Sequence, residues 1–309
     1  MNKRLSGIYI GILWFLSVTS CLKSKEPINT SNTEITSNIE IDNNTEIVNS
    51  TMDNRINDPL LLSYFLFIPT IKIDISKNVV IQQIWYNNFD QKDRSYGDDE
   101  PGTERYTIFL FCDGIFYAID NVETYQGKIT RSKERENIHN PDESITVNLY
   151  RLGTNQISAQ HIFIWNENIL VANHGNRDGR PTSVVVKNDI GYQYFYSHRG
   201  YASNLPSTLI EFKDKETIIY IYNSFTGDIT LIRYYVNGIL MNVKHEDGRT
   251  ETYTVSSGAG ELLITDSTGN LIEKSRLERE INEDGYLVYE LVVRQAGDGY
   301  EFFYTKDTF

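Results

Sequence analysis

Cysteine is almost absent: the 309 residues hold two, Cys21 and Cys112. At most one disulfide is available, so packing and hydrogen bonds must carry the fold. Proline (7) and methionine (3) are also scarce, which excludes Pro-rich fibrous classes. The five histidines, at 139, 161, 174, 198 and 245, never stand two or four residues apart, so no local metal pair forms. There is no H-E-x-x-H, G-x-S-x-G, P-loop, G-x-G-x-x-G or EF-hand pattern, which removes several common enzyme classes. No cofactor and no metal is expected. Positive charge is short as well, with 29 basic against 42 acidic side chains and a net −13. Such a chain repels phosphate backbones, so nucleic acid is not an expected partner. Long stretches with a 3.6-residue apolar period are missing too. What the chain has in excess is tyrosine, 21 residues, beside 14 Phe, and these side chains favour strands.

The first 21 residues read MNKRLSGIYIGILWFLSVTSC. Lys3 and Arg4 precede an uncharged stretch, Leu5 to Ser20, of 16 residues. That layout is a secretory leader, and the stretch is shorter than the roughly 18–20 residues that span a bilayer comfortably. An uncleaved anchor and a plain secreted protein remain the alternatives. Val18-Thr19-Ser20-Cys21 resembles the lipobox of bacterial lipoproteins. The resemblance implies cleavage after residue 20 and a diacylglyceryl thioether on Cys21, usually with an N-acyl chain. Two or more acyl chains anchor stably where one does not. It also implies a bacterial envelope location, on the non-cytoplasmic side of a membrane. Loss of Lys3 and Arg4 with the leader leaves 27 basic against 42 acidic side chains, a net −15. Cys112 then has no intramolecular partner, and its apolar setting, Thr107 to Cys112, predicts a buried, inert thiol.

Residues 21–57 form the lipidated Cys and a tether. From 22 onward the run is dominated by Asn, Thr, Ser and Glu, has no aromatic residue, and is expected to be disordered. As a coil it would reach about 30–36 Å. The body starts near Asp58-Pro59, an N-cap and first-turn pair that predicts a short helix over 59–68, although a buried strand fits the same apolar run. Ile71-Lys72-Ile73-Asp74-Ile75 alternates strictly and predicts a half-buried strand.

Turn signals dominate the remainder. Asp-Gly or Asn-Gly pairs at 113–114, 237–238, 247–248, 284–285 and 298–299 predict hairpins, with weaker signals at Gly227-Asp228 and Gly269-Asn270. Asp178-Gly179 is read as a loop, because Arg180-Pro181 follows it. The expected class is mainly β, built of antiparallel hairpins. A β-rich region over 58–212 would precede an antiparallel meander over 213–309, possible as two subdomains. Glu273 to Glu280 is open between a charged edge strand and a short helix. Tyr300 to Tyr304 would either close the sheet or present an edge for strand addition.

Two loops carry candidate chemistry. Pairing of 183–187 with 192–197 would bring the loop 173–182 beside 198–201. His174, Arg177, Asp178, Arg180, His198 and Arg199 then form a candidate pocket for a carboxylate or phosphate, or for catalysis; a solvated surface loop is the bland alternative. Asp98, Asp99, Glu100 and Glu104 form an acidic loop of the kind that holds calcium, without EF-hand spacing. The expected function is therefore a lipid-anchored, non-enzymatic binding or interaction module, with the membrane as one partner and an envelope protein or glycan as another. An anchored hydrolase or small-anion binder built near His174 and His198 is the alternative, and an assembly-edge structural protein a third.

Overall fold

A computed structural model describes residues 55–94, 104–151, 153–173, 183–198, 201–202, 205–223, 225–256 and 258–306. Among them, β1 (Val79–Asn88), β2 (Asp93–Arg94), β3 (Glu104–Cys112), β4 (Ile115–Tyr125) and β5 (Lys128–His139) follow a helix, α1 (Pro59–Phe65). Next come β6 (Ile145–Tyr150), β7 (Ile157–Asn166), β8 (Ile169–Asn173), β9 (Ser183–Asn188), β10 (Gly191–His198) and β11 (Tyr201–Ala202). The chain continues through β12 (Thr208–Lys213), β13 (Glu216–Tyr222), β14 (Ile229–Val236), β15 (Ile239–His245) and β16 (Thr250–Ser256). It ends with β17 (Ala259–Thr265), β18 (Leu271–Ile281), β19 (Leu287–Val293) and β20 (Gly299–Lys306).

Each strand pairs antiparallel with the next along the chain, apart from the two-residue offshoots β2 and β11, which β3 and β12 bypass. The circuit then closes. β1 pairs with β3 on one side and with β20 on the other, Val79 to Tyr86 lying opposite Lys306 to Gly299. The result is one large antiparallel barrel. The Tyr300 to Tyr304 segment closes it, and no break in the ladder falls at 212–213, since β12 pairs both β10 and β13. Glu273 to Glu280 lies in β18, paired on both flanks.

A circuit this wide would leave a lumen if it stayed open. Here residues 55–75 plug it. Asp58 caps α1, its Oδ1 accepting from the backbone N–H of Leu60 (2.8 Å) and Leu61 (3.0 Å). The helix is apolar on nearly every side, as a helix in a core must be, and buries Leu60, Leu61, Leu62 and Phe65. Strand residues pointing inward close over it: Val79, Ile119, Ile210, Ile219, Tyr235, Phe302 and Tyr304 are all nearly inaccessible. The expected strand at 71–75 is a correction. Its alternation is real in burial, with Ile71 and Ile73 inside, but the segment forms only single bridges, Arg55 to Lys72 and Thr70 to Ile239. It lies as a strap over the β14–β15 turn, held by Ile71 N–H to Gly238 O (2.7 Å) and Leu240 N–H to Pro69 O (2.9 Å).

Some of the tyrosines serve this plug, whose backbone groups are taken out of water and must be satisfied. The hydroxyls of Tyr192, Tyr194 (2.9 Å) and Tyr235 (3.1 Å) donate to the carbonyls of Asn57, Pro59 and Ile68. Arg233 Nη1 donates to Leu66 O (2.9 Å), and Tyr304 Oη accepts from Asp74 N–H (2.7 Å). Burial pushes the Tyr192 hydroxyl up to about 12, so these donors stay protonated at neutral pH.

The turns correct part of the hairpin reading. Asp113-Gly114 and Asn237-Gly238 have both residues at positive φ, as a two-residue turn requires. At 298–299 the pair is misplaced: the turn is Arg294 to Asp298 with Gly297 at φ +87°, and Gly299 opens β20. Cys112 is a second correction. It ends β3 beside the turn and is exposed, because the outermost residue of a hairpin has no facing sheet.

Candidate functional site

Cys21, His174, Arg177, Asp178, Arg180 and Arg199 lie outside the described residues, as do Asp98, Asp99 and Glu100. His198 is described as strand backbone only, opposite Tyr201, and Glu104 opens β3 on the surface. The ladder does supply the premise of the loop reading. Ser183 pairs with both Ala172 and Tyr196, so β8, β9 and β10 end side by side where the chain leaves for 174–182 and 199–200. No group of three His, Cys, Asp or Glu able to hold a metal occurs among the described residues.

The cleft that the structure does shape lies at the opposite end of those strands, beside the turns that join β5 to β6 and β7 to β8. It encloses about 380 Å³. The start of α1 gives Asp58, Pro59 and Leu60; β5, its turn and β6 give His139, Glu143 and Ile145; β7 and β8 give Trp165 and Leu170. Leu60 and Leu170 form a buried apolar floor, Trp165 and Ile145 are half-buried walls, and His139 and Glu143 stand exposed at the mouth.

Local sequence explains how Glu143 arrives there. Asn140-Pro141-Asp142-Glu143-Ser144 closes on Asn140 N–H to Ser144 O (2.9 Å) and Glu143 N–H to Asn140 O (3.1 Å). The same pair of bonds closes the turns at 245–249, 266–270, 282–286 and 294–298, where Gly248, Gly269, Gly285 and Gly297 take the left-handed position. Glu143 occupies that position at φ +64°. A non-glycine residue there costs on the order of 1–2 kcal/mol. Asp142 steadies the turn by accepting from Ser144 Oγ (2.6 Å) and N–H (3.1 Å), bonds that hold its carboxyl below the usual range.

Hydrogen bonding sets what the other groups offer. His139 Nε2 lies 3.3 Å from Phe116 O. A carbonyl only accepts, so Nε2 carries a proton. Asp58 Oδ1 is engaged by the helix start, leaving Oδ2 for the cleft. Sequence reasoning read Asp58 only as a cap and passed over His139, Glu143 and Trp165. Their common signal is weak: a five-residue turn without glycine, polar except for Pro141, and a strand whose inward tryptophan sits next to a turn.

Elsewhere the buried polar groups serve the barrel. Arg279 and Glu290, both almost fully buried, pair at 2.5 Å. Glu290 also accepts from the Tyr300 hydroxyl, and the Arg279 guanidinium stands 4.9 Å from the Tyr253 ring centre. Burial, then the neighbouring Glu290 charge, drives the Tyr300 hydroxyl well above its ordinary range, so it remains a donor. This is a cross-strand clamp inside the meander, closed to solvent. Comparison with protein-family models and with curated proteins returns no match for this chain.

Proposed function

We propose that the chain is a lipid-anchored protein of the bacterial cell envelope, whose barrel is a non-enzymatic binding module held off the membrane by the polar run after Cys21. The leader and the Val18 to Cys21 lipobox support the anchor, and the composition of 22–57 supports the stalk. No helix among the described residues is long and apolar enough to cross a membrane. The observation that carries the binding role is the cleft, an open concavity with an apolar floor and polar groups at its mouth, where the plug helix meets the barrel wall. The wild-type chain should incorporate labelled fatty acid in cells and sediment with membranes. Cys21→Ser should do neither; labelling of that variant would overturn the anchor. A photo-crosslinker at Ile145 should capture a ligand or envelope partner that the same group at Ile272, on β18, does not. Equal capture at both sites would remove the cleft from the reading.

The second reading, an anchored hydrolase or small-anion binder around His174 and His198, is supported by the shared edge of β8, β9 and β10. Arg177→Ala with Arg199→Ala should abolish phosphate or carboxylate binding if it holds, and unchanged binding would sink it.

A further inference from the structure

We infer that the cleft between α1 and β5–β8 takes an alkylammonium group, an amine carried on a short apolar stem. The inference rests on the binding-module reading and specifies its ligand. Apart from the Trp165 indole N–H, the cleft's polar side chains are the Asp58 and Glu143 carboxylates, which only accept, and the His139 ring. No lysine or arginine lines it. Several acids elsewhere on the surface are matched. Glu123 pairs with Arg105, Glu211 with Lys213, Asp247 with Arg249, Glu261 with Lys274 and Glu278 with Arg276. Asp58 and Glu143 enter no such pair among the described residues.

Ligand classes divide on these groups. An anion would meet two carboxylates and a protein of net −13. A neutral polyol brings as many acceptors as donors, and its acceptors would find no more than the indole N–H and the His139 ring. An ammonium brings donors alone, three of them, with a compensating charge. The half-buried Trp165 ring adds a cation–π face, and the Leu60 and Leu170 floor takes a short hydrocarbon stem. The mouth is open and exposed, so binding is modest and falls with salt. The same chemistry arrives either as a free amine or as the end of a lysine side chain on a partner protein.

Calorimetry on the full chain in non-ionic detergent tests this with n-butylammonium, and with Nα-acetyl-lysine amide as the arm that represents a lysine side chain. Butanol, butyrate and methyl glucoside are the comparison ligands, each with a detergent blank. Tighter binding of the lysine derivative points to a protein partner, and tighter binding of butylammonium to a free amine. Glu143→Gln and Trp165→Leu should each weaken the amine about fivefold. The double variant should reduce binding to the blank. Butanol or methyl glucoside binding as well as the amine, with loss in Trp165→Leu, would overturn the ammonium class and leave the binding module standing. An unchanged affinity in Glu143→Gln would overturn it as well. No heat from any of the five ligands overturns this inference, while the anchor and the Ile145 crosslink still judge the parent reading.

Discussion

A single hydroxyl decides much in a barrel whose lumen is filled by backbone. Tyr235 is fully buried and its hydroxyl bridges toward Leu66 O and Ile68 O in the plug. Tyr235→Phe keeps the ring but strands the Ile68 carbonyl, Leu66 O keeping its bond from Arg233, so it should cost about 1–3 kcal/mol, read as a lower denaturation midpoint. Glu251 shows the charged counterpart. Burial disfavours its ionised form, but the bond and charge of His245 (2.9 Å) and the Tyr253 hydroxyl (2.9 Å) outweigh that, and its carboxyl lies below the ordinary range. A depressed folded value means the contribution is full above the unfolded value of about 4.3 and is lost as pH falls through the folded one. Thermal melts between pH 5 and 3 should therefore fall less steeply for Glu251→Gln than for the wild type. Equal slopes would show that other acids carry the acid sensitivity.

Turns set the scale of the element, and they differ in how much room they leave. Gly238 stands at φ +76° with Lys72 Cβ 2.4 Å from where its own Cβ would be, because the plug strap crosses over that turn. Gly127 has a similar φ of +76° and open space around it. Gly238→Ala should therefore lose clearly more stability than Gly127→Ala, for which only the left-handed cost of about 1 kcal/mol applies. Glu143 tests the converse. Glu143→Gly relieves a left-handed residue and should raise stability by about 1 kcal/mol while weakening the amine. A variant that is both stabler and still binds fully would separate the strain from the site. The alternation of Ile71 to Ile75 carries the element-scale lesson. Period two reports which side chains are buried, and a strap shows that period as well as a paired strand does.

At the scale of the molecule, the closure of β1 on β20 ties the first strand to the last. No free edge interrupts the main circuit, and the plug contacts strands from both halves, with Tyr192 on β10 and Tyr304 on β20 both bonded to it. Heating should therefore give one cooperative calorimetric transition. Two separate transitions would mean that 58–212 and 213–309 fold independently. The strand-rich class, most hairpins and the α1 cap were legible in local chemistry: Asp-Gly pairs, alternation, and Asp58 before Pro59. β5 was not, since Lys128 to His139 is rich in charge that only its neighbours make burial possible for, such as Arg135 over the Tyr64 and Phe116 rings.

Turn residues and side-chain period act within a few residues, so the chain alone determined that hairpins would follow one another. Three-dimensional closure decided the rest. Which strand meets the last, what fills the space inside, and that Asp58, His139, Glu143 and Trp165 share one cleft depend on contacts between segments as much as 230 residues apart. No local preference encodes such contacts, because the free energy that selects them comes from burying the plug in a finished ring.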